Sequence, residues 1–245
     1  MLSVYDVRIE YQKNPIGIDV REPRVSWKIK SNDRNTRQAM YQLQVSKEES
    51  FDTVVWDSGE VASDESIHIV LKDLNPESKT RYYVRVHVTD QAGNESGWSE
   101  SSFFEMGLLQ ASEWQAKWIS TPESIDKKAS PQFRFSFKVK DKVKNARIYA
   151  TALGLYELHL NGNRVGEEYF TPGWTSYYTR LQYQTYDVTD QIVYGDNEWT
   201  ALLGNGWYRG NLGWEHQKEI YGNRLGLLAE LHLEYEDGTT EVVKT

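Results

Sequence analysis

The fold class is decided by one stretch, Phe133-Arg134-Phe135-Ser136-Phe137-Lys138-Val139. Large apolar residues occupy every second position, which is the period of a β-strand with one buried face. A second stretch, Tyr82 to Val88, alternates in the same way and carries valine at positions 84, 86 and 88. No segment has a convincing helical period, so the two stretches predict an all-β protein built from two β-sandwich modules.

The first module has the marks of a fibronectin-III/immunoglobulin-like sandwich. Further short strands are predicted at 41–45, 53–56 and 67–71, with Trp27 on an early strand and Tyr82 opening a late one. We therefore expect this sandwich over residues 1–106. A polar linker is predicted over 107–130, with a short helical turn between Leu108 and Ile119, and with Trp114 and Trp118 packed between the modules or on the rim of the second.

The second module, residues 131–245, is predicted to be a jelly roll of about seven strands, one short of the usual eight. One of them ends at Asn161-Gly162, a strong hairpin dipeptide. The sequence stops within or just after a strand, at Val243-Lys244-Thr245. The expectation is a jelly roll truncated at its C-terminal end, in a fragment of a longer protein.

The composition of the chain argues against several classes of binding partner. The net charge of −8 argues against nucleic acid, because phosphate binding relies on clustered Lys and Arg. Cysteine is absent, and no apolar run reaches the roughly 18 residues of a membrane span, so no membrane partner is expected. The first residues lack the basic flank and apolar run of a signal peptide, which favours a cytoplasmic location unless a signal has been removed.

Catalytic groups are not recognisable, and we predict no catalytic residue. A glycosidase needs two carboxylates that flank the scissile bond. Most of the candidate carboxylates lie at outward strand positions or in turns, as on a solvated sheet face. They are Glu157, Glu167, Glu168, Glu230, Glu234 and Glu236. The five histidines show no metal-ligand spacing, and no nucleophile elbow, P-loop or dinucleotide motif is present.

The segment Leu202 to Trp214 is the candidate binding loop, because it is rich in aromatic residues and glycine. Aromatic faces stack on sugar rings, Asn and Arg hydrogen bond to hydroxyls, and glycines let a backbone approach a ligand. Asn side chains and backbone carbonyls also suit calcium, although no metal ligand can be named. In the alternative interpretation, the loop plugs the end of the sandwich with its Trp residues. The candidate carbohydrate-binding residues are Asn205, Trp207, Tyr208, Arg209, Trp214 and Asn161, with Trp174 as a weaker one.

Several segments together resemble the N-terminal accessory region of bacterial α-L-rhamnosidases, glycoside hydrolase family 78. Their order and spacing carry the resemblance, which spans nearly the whole chain. The segments are Phe104 to Leu109, Trp114 to Ile119, Leu153 to Leu158, Leu160 to Gly166, Pro172 to Thr175, Tyr183 to Thr189 and Gly206 to Gly210.

The resemblance implies a parent enzyme that removes terminal α-linked L-rhamnose with inversion, in an (α/α)6 barrel C-terminal to this region. The chain itself would then lack hydrolase activity and would need no cofactor, and its partners would be the missing catalytic domain and a rhamnose-containing glycan. In some relatives the jelly roll binds rhamnose with calcium. Three functions stay open: a support for the catalytic barrel, a calcium-assisted carbohydrate-binding module, and a ligand-free interaction scaffold.

Overall fold

The computed structural model describes residues 1–122, 129–215 and 217–245. These residues form two compact units, Met1–Glu113 and Trp114–Thr245. Each unit has its own hydrophobic core between two β-sheets. The all-β fold of two sandwiches is therefore confirmed. The division falls inside the segment 107–130, and a single 3-10 turn, Ala111–Glu113, lies just before it.

The first unit contains eight strands in two sheets. The order is β1-β3-β6 in the three-stranded sheet and β2-β8-β7-β4-β5 in the five-stranded sheet. The strands are β1 (Leu2–Ile9), β2 (Ile16–Ile18), β3 (Arg24–Ser31), β4 (Gln38–Ser46), β5 (Val54–Asp57), β6 (Ile69–Val70), β7 (Arg81–Asp90) and β8 (Ser102–Met106).

Trp27 and Tyr82 lie where an immunoglobulin-like sandwich requires them. Trp27 is buried in the core, and its Nε1 donates to Oε1 of buried Gln38 at 2.9 Å. Tyr82 is also buried, and its hydroxyl accepts from the backbone N–H of Glu77 at 3.0 Å. This return of a tyrosine hydroxyl to the upstream backbone is the tyrosine corner of such folds.

The second unit contains two four-stranded sheets, with orders β13-β10-β17-β18 and β12-β11-β14-β9. A separate two-stranded hairpin, β15-β16, belongs to neither sheet. The strands are β9 (Gln132–Val139), β10 (Val143–Leu153), β11 (Leu155–Leu160), β12 (Asn163–Arg164), β13 (Gln184–Asp187), β14 (Gly195–Gly204), β15 (Asn211–Leu212), β16 (Gln217–Lys218), β17 (Gly226–Tyr235) and β18 (Thr240–Lys244).

The expected count of seven strands in this unit is too low, because the two sheets hold eight. The missed strand is β12, which follows the Asn161-Gly162 turn and pairs with the end of β11. A strand of two residues has no measurable alternation, so the sequence pattern does not reveal it. A helix, α1 (Gly206–Arg209), follows Gly204-Asn205 as well, where no helical segment was evident from the sequence.

The two sheets of the second unit meet at Gly154, which joins β10 to β11. Gly154 has φ +124°, and a Cβ there would lie 2.5 Å from the carbonyl oxygen of Gly204. Leu153 pairs with Gly226, and Leu155 pairs with Gly204, so all these residues lie at one end of the sandwich. We call it the aromatic end, for the loops described below.

The segment after Glu113 is held to the second unit by a buried carboxylate. Glu230 on β17 is fully buried, and its Oε2 accepts the backbone N–H groups of Gln115 and Ala116 at 2.7 and 2.8 Å. Ile119 then pairs with Leu227. Trp114 packs edge-on against Tyr183, and Trp118 lies against Gly226 while its ring stays half exposed. Both tryptophans thus contact the second unit.

The part of the chain that the structure describes contains no helix long and apolar enough to cross a membrane.

Candidate functional site

Two loops cover the aromatic end of the second unit. The first, residues 165–183, connects β12 to β13, and the second, residues 205–225, connects β14 to β17. Together they expose large aromatic side chains that a core would normally bury. The exposed aromatic residues of the two loops are Tyr169, Phe170, Trp174, Tyr178 and Trp214.

Trp207 and Trp174 form a stacked pair that joins the two loops. Their rings are nearly parallel, at 4°, with centroids 5.9 Å apart. Phe170 packs edge-on against Trp207, at 6.2 Å between centroids. Trp207 is half-buried, whereas Trp174 is 56% exposed. Because one face of Trp174 is taken by Trp207, the free aromatic platform is the other face of Trp174.

Below this pair, three tyrosines pack together. The ring of Tyr177 contacts the rings of Tyr208 and Tyr221, at 5.3 and 5.0 Å between centroids. Gly222 lies so close to the Tyr208 hydroxyl that any side chain there would collide with it. Burial raises the pKa of Tyr177 and of Tyr208, so both stay neutral at physiological pH. The tyrosines therefore fix the two loops to each other.

The polar groups of this end are used inside the loops. Asn205 precedes α1, and its Oδ1 accepts from Nε of Arg209 at 2.8 Å. The hydroxyl of Tyr177 donates to the carbonyl of Gly173 at 3.0 Å, and that of Tyr178 donates to the carbonyl of Ile220. The Asn and Arg expected to meet sugar hydroxyls thus hydrogen bond to each other.

Trp214 stands apart from the other aromatic residues. It lies in the turn of the β15-β16 hairpin and is 99% exposed, and its ring contacts no other ring of the described residues. The hairpin starts directly after α1 and returns to it, because the N–H of Glu219 donates to the carbonyl of Arg209. Trp214 therefore projects from the aromatic end on a short arm.

Asn161 does not belong to this surface. It follows β11 at the opposite end of the sandwich, where Leu160 pairs with Trp199. Its Nδ2 donates to the carbonyl of Gln191 and to Oδ1 of Asn197, and its Oδ1 accepts from the N–H of Glu198. Both polar atoms of its side chain are thus hydrogen bonded to the segment Gln191 to Glu198, so the geometry gives Asn161 a structural role.

Five of the six candidate carboxylates make structural contacts. Glu157 pairs with Arg164 and His159, while Glu234 and Glu236 pair with Lys144 and Lys142. Glu168 accepts the N–H of the neighbouring Glu167. Glu230 is buried, and His232 Nε2 lies 2.7 Å from its Oε1. Within the described ranges, no three His, Asp or Glu side chains gather as a metal site would require. His216 lies outside the described residues.

Sequence reasoning missed much of the first loop. Phe170, Tyr177 and Tyr178 lie 27 or more residues before the second loop, and nothing local shows that the two loops meet. Trp174 was recognised only as a weak candidate. The available signal was density: Tyr169 to Tyr183 contains six aromatic residues, which is more than one surface loop needs.

Comparison with known families assigns both units. Residues 4–110 match the "Rha78A-like, N-terminal immunoglobulin domain" model, and residues 141–245 match the "Alpha-L-rhamnosidase N-terminal domain" model. The chain is 33% identical to an α-L-rhamnosidase of Formosa agariphila over 95% of its length, which is 28% of that protein.

Solved structures of α-L-rhamnosidases agree with this assignment. The α-L-rhamnosidase of Streptomyces avermitilis, solved with L-rhamnose, superposes with TM-score 0.93 and 26% identity, over 99% of this chain and 40% of that one. The Aspergillus terreus α-L-rhamnosidase superposes with TM-score 0.89 and 33% identity, over all of this chain and 29% of that one. The sequence alignment with a Streptomyces avermitilis α-L-rhamnosidase runs over 413 positions, so that protein contains residues within the aligned region that this chain lacks.

The chain thus spans between about a quarter and two fifths of the length of these relatives. The resemblance noted in the sequence is confirmed by two family models and by the superposed structures. The chain thus matches the N-terminal region of α-L-rhamnosidases, and its two units correspond to the N-terminal immunoglobulin-like domain and the N-terminal domain of these enzymes.

Proposed function

We propose that this chain is the non-catalytic N-terminal region of an enzyme that hydrolyses terminal α-L-rhamnosides with inversion, and that it supports the catalytic domain. The observation that carries the proposal is coverage: proteins named α-L-rhamnosidases match almost all of this chain with less than half of their own length. Three candidate carboxylates of the second unit support it too, because Glu157 and Glu234 form ion pairs and Glu230 accepts backbone hydrogen bonds in a buried position. A working pair of glycosidase carboxylates must instead face a bound sugar.

A hydrolysis assay tests this proposal. With 4-nitrophenyl α-L-rhamnopyranoside, the chain alone is expected to release nitrophenol no faster than buffer. The same chain within its full-length parent is expected to release it at enzymatic rates, with β-L-rhamnose as the first anomer seen by NMR. Nitrophenol release by the chain alone, or a full-length parent without activity on the rhamnoside, would refute the proposal.

We propose carbohydrate binding as a second function, at the platform made by Trp174. Its outer face is exposed, and Trp207 behind it holds the ring in a fixed orientation. A fixed aromatic face is suited to the apolar face of a pyranose. Calcium assistance would rely on backbone carbonyls and Asn side chains of the same loops, since the described carboxylates and histidines form no cluster there.

Calorimetric titration with L-rhamnose, with and without calcium, measures this binding. We expect weak binding, with Kd on the order of 1 mM as for a small ligand on one exposed ring. Trp174→Ala should abolish the heat by removing the platform, and Trp207→Ala should weaken it by releasing the ring. Tyr194→Ala, at the opposite end of the sandwich, serves as the matched control. A flat trace for the unaltered chain in both buffers would remove this function.

A further inference from the structure

The hairpin arm is the least explained feature of the second unit. Its described residues are 211–215 and 217–218, and the pairs formed among them are Asn211–Lys218 and Leu212–Gln217. Two paired residues per strand are too few for a hairpin to be stable without a packing partner. The side chain of its turn residue Trp214 is 99% exposed, so burial of this ring does not stabilise the hairpin. Such an arm is suited to a contact with another surface.

The shape of the arm argues for a protein partner. An aromatic platform for a sugar needs a ring held in a fixed orientation, as Trp207 holds Trp174, and small-ligand sites are preferentially concave. Trp214 instead lies at a convex tip, where its neighbours Gly213 and Glu215 are also exposed. An exposed Trp that inserts into a pocket is a common hot spot of protein interfaces.

The position of Thr245 indicates which protein could be the partner of the arm. β18 runs antiparallel to β17, and it brings Thr245 beside Ala229, where the N–H of Thr245 donates to the carbonyl of Ala229. Ala229 lies three residues from Gly226, which belongs to the aromatic end. Residues that follow Thr245 in a parent enzyme therefore start within about 10 Å of that end, at roughly 3.3 Å per strand residue.

We propose that the hairpin arm docks onto the C-terminal remainder of the same polypeptide, with Trp214 inserted into a pocket of that remainder. The inference rests on the proposed function, since relatives of this chain have 60% or more of their length outside the matched part.

Hydroxyl-radical footprinting of the 245-residue chain and of its full-length parent tests the docking. In the isolated chain, Trp214 is expected to oxidise as fast as a free indole side chain. In the parent, its oxidation should slow by at least about tenfold, as for a buried interface anchor. Tyr194, 81% exposed at the opposite end, is the internal control and should oxidise equally in both. Equal oxidation of Trp214 in the two proteins would overturn the docking.

A variant separates docking from folding. Trp214→Ser should leave the melting temperature of the isolated chain unchanged, because the side chain has no described contact to lose. In the parent it should speed proteolytic release of this region by about tenfold or more, as expected for loss of a hot spot. Tyr194→Ser should change neither property. If Trp214→Ser leaves proteolysis of the parent unaltered, the arm does not anchor the region.

Two further outcomes distinguish the possible failures. An active parent without protection of Trp214 leaves the proposed function standing and overturns the docking. A parent inactive on α-L-rhamnosides removes the proposed function, and the inference with it. In a third footprinting sample, L-rhamnose is added to the isolated chain. Protection of Trp214 by the sugar would make the hairpin arm a carbohydrate site and would also overturn the docking.

Discussion

Replacing Glu230 by glutamine is expected to lower the free energy of unfolding of the second unit by about 3 kcal/mol. The carboxylate is fully buried and satisfies three partners: the N–H groups of Gln115 and Ala116, and Nε2 of His232. Glutamine has one accepting oxygen, so it cannot accept from the two backbone N–H groups and also from Nε2 of His232. Either its NH₂ group faces the two backbone N–H donors, or its oxygen does and the interaction with His232 changes.

The pH dependence of this effect has a defined sign. Burial by itself raises the pKa of Glu230, but the hydrogen bonds from His232, Ala116 and Gln115 outweigh it and hold the pKa below its ordinary value of 4.5. A carboxyl whose folded pKa is lowered stabilises the fold above its unfolded pKa, and this stability is lost as the pH falls through the folded pKa. The difference between the two proteins should therefore be full at pH 7 and shrink below about pH 4.5.

Amide hydrogen exchange of core residues in β10 and β17 measures this stability for the second unit alone. Glu234→Gln, four residues along the same strand, is the control. Its partner Lys144 is an exposed lysine, and exposed pairs contribute little. If both variants exchange like the unaltered chain, the carboxylate does not hold the segment after Glu113.

The strands that sequence analysis placed correctly have one face against a core. The alternation of Phe133 to Val139 predicts β9 to within one residue, because burial of every second side chain leaves a period that can be read directly. β12 and α1 could not be found this way. Each covers only about one period of its own pattern, which is too short to show a repeat, and each lies next to a paired strand that fixes one of its ends.

The site residues show a different limit. Trp207, Tyr208 and Trp214 lie within eight positions of one another in the sequence, and the structure places all three at the aromatic end of the second unit. Trp174 is 33 positions before Trp207, yet the two rings stack, because β13 and β14 carry the chain away from this end and back. Asn161 has the right chemistry at the wrong end. Residue type indicates what a side chain can bind, whereas strand register decides which side chains meet.

The pairing of Leu155 with Gly204 requires the backbone of Gly154 to lie close to the carbonyl oxygen of Gly204. Replacing Gly154 by alanine should lower the free energy of unfolding of the second unit by about 4 kcal/mol, because backbone strain and steric overlap add. The backbone there has φ +124°, which side-chain-bearing residues rarely adopt. The new Cβ would also lie 2.5 Å from the carbonyl oxygen of Gly204 and 2.7 Å from Cδ2 of Leu225.

Gly238→Ala separates the two contributions. Gly238 also has a positive φ, +83°, but a Cβ there meets nothing within 4 Å, so only backbone strain of about 1 kcal/mol is expected. Hydrogen exchange in β10 and β17 gives the stability of both variants. Equal losses would show that the contact between Gly154 and Gly204 tolerates a methyl group. A larger loss for Gly154→Ala, with increased acrylamide quenching of tryptophan fluorescence, would show that this contact positions the loops that hold Trp174 and Trp207.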